Sequence, residues 1–289
     1  MGYAFSKASG VADQVREIAA EQIDKALDLA RAADDFDETV HSLRKHCKKL
    51  RALLKLVRPA FDTYGDENAA IRSIAEQFSV ARDAAVMVET ITGLLGPETN
   101  TAEQHVRTRL EERAGHLRSQ VGEAALLENT IKQFDALRER VNDWKFSASG
   151  EDIVLPGLKV SYSRFRKDYD LARHDPAGEV MHEWRKAAKA HWYHMRLFEK
   201  AAPGVLAAPI KELDRLGENL GDHHNLTVLA DWIGAGASAG DEGLDTLRKT
   251  IARRQGKLAD ESFAMARQFI VEKPSALIDR FRGYWKLLE

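Results

Sequence analysis

The sequence has little or none of several features that define particular classes of protein. Cys47 is the single cysteine in 289 residues, which excludes an intrachain disulfide. No apolar run of about 18 residues is present, and the N-terminus lacks a basic-then-apolar signal pattern. No segment outside residues 146–157 shows the alternating pattern of a β-strand. These absences predict a cytoplasmic, all-helical protein that does not associate with membranes.

An excess of charge of either sign is also missing. Lys and Arg number 43 and Asp and Glu number 45, so the formal net charge is only −2. General attraction to nucleic acid or membranes is therefore not expected, and an anion site would have to come from local clustering. The sequence contains no GxxxxGK[ST], GxGxxG or G-x-S-x-G signature. Nucleotide hydrolysis and serine chemistry consequently lack support.

Such a cluster is present in the segment 40–59, VHSLRKHCKKLRALLKLVRP. It carries seven Lys or Arg residues and no acid. Helical periodicity places an apolar stripe on one side, formed by Leu43, Cys47, Leu50, Leu54 and Val57. The opposite side carries a basic stripe of His41, Arg44, Lys48, Arg51 and Lys55. Like charges at this spacing repel by roughly 0.2–0.5 kcal/mol per pair, so the counter-charge lies elsewhere in the fold or on a ligand.

A second copy of this helix occurs in the segment 181–199, MHEWRKAAKAHWYHMRLFE. At a constant offset of 141, His41, Arg44, Lys45, Lys48, Lys55 and Leu56 match His182, Arg185, Lys186, Lys189, Arg196 and Leu197. Six matches at one offset indicate a duplication. The predicted basic stripe of this copy is His182, Arg185, Lys189, Tyr193 and Arg196. Residues 1–148 and 149–289 are interpreted as two repeats of one domain, 1–289, joined near residues 146–157.

The repeat and the helical periodicity predict an all-α bundle of two pseudo-two-fold-related halves with about five helices each. The two basic helices are expected to face each other across a central pore or groove. Residues 69–95 are predicted to form one helix, with Arg82 on its inner face. The segment LKVSYSRFRKDYDLAR, beginning at residue 158, adds a further basic run, from which Arg166 is a candidate contact.

Phosphate suits a lining of this kind. Guanidinium groups bind phosphate oxygens in pairs, and ammonium groups act as compact point charges. Each stripe spans about 14 residues, or roughly 20 Å at 1.5 Å per residue, a length that favours a polymer over a single small anion. The alternative is that each stripe pairs with acids of neighbouring helices. His191 and His194 fall toward the apolar side and are predicted to be core residues, and the adjacent His223 and His224 give little support for a metal site.

Taken together, the two basic segments, each followed by a helix bearing ARDAAVM or GDHHNLTVL, resemble the signature helices of the CHAD family, the histidine-bearing α-helical domain. This resemblance implies an all-helical, pseudo-two-fold domain with a basic central cavity that binds inorganic polyphosphate, associated with polyphosphate granules. The family's basic positions fall on His41, Arg44, Lys45, Lys48, Arg51, Lys55, Arg82, His182, Arg185, Lys186, Lys189 and Arg196. Trp192 replaces an expected Arg, and His224-Asn225 stands where Arg-Asp is usual.

The leading hypothesis is a non-catalytic polyphosphate-binding module with no cofactor and no metal, acting with polyphosphate granules or polyphosphate-metabolising enzymes. Nucleic acid is not favoured as a ligand, because the aromatic interleaving of single-strand binders is largely absent. Two alternatives stay open. One is a hydrolase or transferase of phosphate compounds that uses the histidines. The other is a helical adaptor whose basic face docks an acidic protein.

Overall fold

The computed structural model describes residues 2–6, 9–96, 100–236 and 242–288. In these ranges the chain forms eleven α-helices, three short 3₁₀ turns and no β-strand, which confirms the all-α prediction. The helices are α1 (Val11–Ala32), α2 (Phe36–Val57), α3 (Tyr64–Glu76), α4 (Ser79–Leu94), α5 (Thr101–Ser119), α6 (Glu123–Val141), α7 (Leu155–His174), α8 (Gly178–Leu197), α9 (Pro203–Gly236), α10 (Glu242–Ile270) and α11 (Pro274–Lys286).

Helix α2 has the two faces that its sequence predicts. Asp35 caps its start by accepting a hydrogen bond from the backbone N–H of Glu38, which satisfies an otherwise unpaired donor. The apolar stripe, Leu43, Cys47, Leu50, Leu54 and Val57, is fully buried in the core. Burial raises the pKa of the Cys47 thiol to about 12. Cys47 is therefore a packing residue, and the basic side of α2 is left to line a cavity.

The prediction of one helix over residues 69–95 is wrong. Helix α3 ends at Glu76 and α4 begins at Ser79. At the break the Ser79 hydroxyl donates to the Glu76 carbonyl oxygen over 2.8 Å, and Phe78 turns into the main core together with Ile71 and Ile74. The change of direction separates α4 from α3, and α4 then packs against α5 and α9.

The buried apolar residues form two clusters. The larger cluster draws on both predicted halves of the chain and includes α1, α2, α7, α8 and α11. The smaller cluster joins α4, α5, the second half of α9 and α10, and consists of Met87, Ile91, Val106, Leu110, Leu226, Leu229, Ile233, Leu247, Ile251 and Leu258. The 34-residue helix α9 contributes to both clusters. Between the clusters, polar side chains of α2, α4, α8 and α9 meet.

The two basic helices contact each other directly. Within this contact, Nε2 of His194 on α8 lies 2.8 Å from the carbonyl oxygen of Ala52 on α2. Helix α7 also packs closely on α2, because a Cβ atom on Gly157 would lie only 1.7 Å from the carbonyl oxygen of Leu56. Only glycine fits at such a close backbone approach. These contacts fix the relative positions of α2, α7 and α8.

Candidate functional site

A cavity of about 420 Å³ opens where α2, α4, α8 and α9 meet. Each of the four helices contributes polar side chains to it. These are His41, Arg44 and Lys48 from α2, Arg82 and Asp83 from α4, His182 and Arg185 from α8, and His224 and Asn225 from α9. Asp83 is the one carboxylate among them, so the lining is strongly cationic.

A second cavity, of about 280 Å³, continues from the first along α2 and α8. The two cavities share Lys48, His182 and Arg185. The second cavity adds further cations and one phenol, namely Arg51, Lys55, Lys186, Lys189 and Tyr193. No acidic residue belongs to this part of the described lining. We call the two adjoining cavities the central basic cavity.

A third, smaller space of about 190 Å³ lies between α2, α7 and α8 and shares Lys55 and Lys186 with the central basic cavity. Its new cations are Arg58 and Arg164. The Arg58 guanidinium stacks 4.9 Å from the Tyr64 ring centroid. Arg164 pairs with Asp168 and Glu183 at 2.8 and 2.9 Å. We call this space the lateral cavity; its lining extends the cationic surface beyond the two stripes.

Eleven of the fourteen candidate residues line the central basic cavity: His41, Arg44, Lys48, Arg51, Lys55, Arg82, His182, Arg185, Lys186, Lys189 and Tyr193. The other three do not belong to this lining. Arg166 points to the other side of α7, with its guanidinium 6.0 Å from the Tyr162 ring. The Tyr162 hydroxyl in turn donates to the carbonyl oxygens of Phe269 and Glu272, so that side faces α10 and α11.

Lys45 and Arg196 are separated from the cavity by the N-terminal segment 2–6. Tyr3 is buried there and donates from its hydroxyl to the Lys49 carbonyl oxygen over 2.8 Å. Its ring packs edge-on against Tyr193, and the Arg196 guanidinium lies 5.8 Å from its centroid. Arg196 also stacks on Trp192 at 4.9 Å. Arg196 thus packs on aromatic rings, and Lys45 is exposed beside this group.

Several cations of the central basic cavity have partners within the protein. Lys189 pairs with Asp214 at 3.0 Å, and Arg82 pairs with Glu89 at 2.8 Å. Arg51 donates to the Asn68 side chain over 3.1 Å. Arg44 lies 3.9 Å from Asp83, and Lys186 pairs with Glu183 at 2.6 Å. Internal pairing therefore accounts for part of the cationic lining.

Lys48 and Lys55 have no acidic hydrogen-bond or ion-pair partner among the described residues. Desolvation, with Arg185 and Arg44 nearby, lowers the pKa of Lys48 to about 8. Desolvation, followed by the charge of Arg51, also lowers the pKa of Lys55. The Nε atom of Arg185 is buried without a hydrogen-bond partner in the described part of the chain, and desolvation lowers its pKa as well. Buried cations without partners are costly, so the cavity favours an anionic ligand.

Two glycines of α9 make room for the basic side chains of α8. A Cβ atom on Gly217 would lie 2.4 Å from Cδ of Lys189, and one on Gly221 would lie 3.5 Å from Nε of Arg185. The two glycines are four residues apart and share one face of the helix. Small residues at these positions let the stems of Lys189 and Arg185 lie against α9.

The histidines fall into two groups. His191 and His194 are buried in the core, as predicted, and burial lowers their pKa values to about 3 and 4. His182 and His224 line the cavity, and their rings stack with centroids 3.9 Å apart. His224 was not among the candidate residues. Its alignment with Arg82 at an offset of 142 was the available signal.

A larger cavity, of about 520 Å³, lies between the start of α2, the break between α3 and α4, and the break between α5 and α6. Its wall is mostly apolar and includes Phe36, Phe78 and Leu117. Its charged groups are paired, with Arg118 beside Asp37 and Arg82 beside Glu89. Size alone therefore does not mark the anion site, and the electrostatics favour the smaller central basic cavity.

Two further properties concern only the described ranges. No group of three or more His, Cys, Asp or Glu side chains is arranged to hold a metal ion there. None of the helices there is both long and apolar enough to cross a membrane.

Fold and site together define a class of all-helical protein in which two basic helices line a common cavity. A model of the CHAD domain matches residues 17–234, which is most of the chain. The protein therefore belongs to the CHAD domain family. No protein of curated function matches its sequence.

Two solved structures share this fold. PptA from Streptomyces chartreusis is 13% identical, with a TM-score of 0.59 over 97% of this chain and 99% of that chain. The CHAD domain from the plant Ricinus communis is 17% identical, with a TM-score of 0.53 over 98% of this chain and 94% of that chain. At these identities the likeness extends to the fold.

Proposed function

We propose that this protein binds inorganic polyphosphate in the central basic cavity and does so without catalysing a reaction on it. The observation that carries the proposal is the continuous cationic lining contributed by α2 and α8, in which Lys48 and Lys55 have no acidic partner among the described residues. A phosphate chain supplies one negative charge per unit at regular spacing. It would neutralise these cations together, whereas a single small anion would reach only a few.

The shape of the lining also supports a polymer. The two parts of the central basic cavity share three residues, and the lateral cavity shares two more. A linear ligand can pass along such a series without leaving the cationic surface. By analogy with nucleic acids, binding would release counterions from the polyanion, so affinity should fall steeply with salt.

The lining also supports binding without turnover. Divalent ions that assist phosphate chemistry prefer several oxygen ligands, whereas Asp83 is the one carboxylate among the described residues that line the central basic cavity. We further propose a cytoplasmic location at polyphosphate granules or with polyphosphate-metabolising enzymes. A fluorescent fusion that follows the granules would support this location, and one that stays dispersed would contradict it.

The direct test is a titration of the protein with long-chain polyphosphate at low and high salt, with orthophosphate, ATP and single-stranded DNA as competitors. We expect salt-sensitive binding that polyphosphate displaces far better than the other three. A parallel incubation with added divalent metal should release no orthophosphate. Absence of binding at low salt would overturn the binding function, and steady phosphate release would favour the enzyme alternative.

A further inference from the structure

The His182 and His224 side chains form a stacked pair inside the central basic cavity. Their ring centroids are 3.9 Å apart and the ring planes differ by 29°. The Nδ1 atoms of both rings are buried and have no hydrogen-bond partner in the described residues. Two adjacent imidazoles therefore face the proposed ligand site with hydrogen-bonding capacity unused.

The groups around the pair are mainly cationic. On α8 the charged neighbours are Glu183, Arg185 and Lys186, and on α9 His223 is adjacent. The walls opposite contribute His41, Arg44 and Lys48 from α2, and Arg82 and Asp83 from α4. In the empty cavity these cations outnumber the acids, so a proton on either ring is disfavoured.

The expected protonation of the empty pair follows from this environment. Desolvation, with Lys186 and Arg185 next in effect, lowers the pKa of His182. Desolvation, followed by His182 and Arg185, lowers the pKa of His224 to about 4. Both rings are therefore neutral near pH 7. A neutral imidazole offers one N–H donor, whereas a protonated one offers two.

A bound phosphate chain reverses the electrostatic balance at this position. Its charges neutralise Arg185 and Lys48 and favour a proton on the imidazoles. Two protonated rings at 3.9 Å would repel each other, so the pair accepts one proton between them. Building on the function proposed above, we propose that the His182–His224 pair is a proton-linked phosphate contact. The pair takes up one proton on binding, and the cavity holds polyphosphate more tightly as pH falls.

This contact distinguishes the second half of the chain from the first. The position that corresponds to His224 is Arg82, which carries a fixed charge and pairs with Glu89 at 2.8 Å. The first half thus offers a permanent cation, and the second half offers one that depends on pH. The pKa of the pair is higher in the complex than in the empty cavity. Affinity is therefore flat above the pKa of the complex, rises as pH falls through it, and levels off below the empty-cavity value.

The test is calorimetric titration with long-chain polyphosphate at pH 7.5, 6.5 and 5.5 and constant ionic strength. Two buffers of different ionisation enthalpy at each pH give the number of protons taken up. Long chains are required because their titrating terminal phosphates are few. In wild type we expect uptake to approach one proton from this pair and affinity to rise by up to about tenfold per pH unit.

Three variants separate the pair from other sources of protons. His224→Arg supplies a fixed charge, and His224→Gln keeps a polar group that does not titrate, so both should lose about one proton of uptake. His41→Gln removes the unstacked histidine of the same cavity and should retain the contribution of the pair. Circular dichroism establishes that each variant is folded.

The outcomes are distinguishable. Binding with equal proton uptake in wild type and in both folded His224 variants would overturn the proton-linked contact while leaving the polyphosphate function intact. Absence of wild-type binding at every pH would overturn the function itself, and the contact with it. Loss of uptake in the His224 variants but not in His41→Gln would establish the contact.

Discussion

Nε2 of His194 lies 2.8 Å from the carbonyl oxygen of Ala52, which ties the two basic helices together at their contact. The ring is fully buried, and burial lowers the pKa of His194 to about 4. The neutral ring is therefore part of the folded structure. The folded-state pKa is below the usual value of about 6.5, so the protein loses stability as pH falls from about 6.5 toward 4.

We predict that His194→Gln makes the stability of the protein less sensitive to acid. Gln can still donate to Ala52 but does not titrate. The slope of unfolding free energy against pH between 6.5 and 4.5 should decrease by up to about 1.4 kcal/mol per pH unit, the value for one proton. Urea unfolding at a series of pH values measures this slope. His105→Gln, at an exposed position on α5, is the control, and equal slopes in all three proteins would contradict the prediction.

The lowered pKa of Lys48 predicts a second pH dependence, on the alkaline side. An anionic ligand favours the protonated amine, so affinity should be constant well below pH 8 and should decline above about pH 8 as free Lys48 loses its proton. Lys48→Arg keeps the charge at all these pH values and should weaken the decline. Polyphosphate titrations from pH 7 to 10 measure it. Lys49→Arg, outside the central basic cavity, should leave the decline unchanged; an unaltered decline in Lys48→Arg would refute the assignment.

The lateral cavity predicts a dependence on chain length. Arg58 extends the cationic lining but is not part of the central basic cavity. Arg58→Ala should weaken binding of long-chain polyphosphate by roughly three- to tenfold, the effect of losing one charge-assisted contact. Tripolyphosphate, which is short enough to stay in the central basic cavity, should bind equally well to both proteins. An equal loss for long and short chains would count against the lateral extension.

The contact between α7 and α2 predicts a large effect of one methyl group on stability. Gly157→Ala places Cβ against the Leu56 carbonyl and should cost about 1–3 kcal/mol or more, because the backbones of two packed helices must separate. Gly283→Ala adds the same group on α11, where nothing lies within 4 Å. It should stabilise the protein by about 0.5–1 kcal/mol. Urea unfolding compares the two, and a neutral Gly157→Ala would show that the packing is looser than described.

Helical periodicity was sufficient to predict the two faces of α2. Leu43 and Leu50 had to share a side at this spacing, and His41 and Lys48 had to share the other. The duplication placed the corresponding side chains on α8 without any knowledge of the fold. Most of the cavity lining could be predicted because both of its main helices are regular, amphipathic and related by a constant offset.

Other features depend on neighbours that the local pattern does not specify. Arg164 and Arg166 flank the buried Phe165 on opposite sides of α7. Only the packed structure shows that Arg164 faces α8. The segment 2–6 carries no periodic pattern, so its position over Arg196 could not be predicted. The break at residues 77–78 was missed because Phe78 continues the apolar periodicity of the preceding helix.

The most direct test of the central basic cavity removes one arginine from each basic helix. Arg44→Ala combined with Arg185→Ala takes two positive charges from the lining. Lys211→Ala combined with Arg253→Ala takes two from exposed positions elsewhere, so the net charge changes equally. Titration with long-chain polyphosphate at about 0.1 M salt compares both with wild type.

We expect the Arg44/Arg185 double variant to lose about 100-fold in affinity, the effect of two charge-assisted contacts. The slope of log affinity against log salt should also become less steep by about two contacts. The Lys211/Arg253 double variant should bind nearly as wild type does. Equal affinity of the two double variants would contradict a polyphosphate site in the central basic cavity.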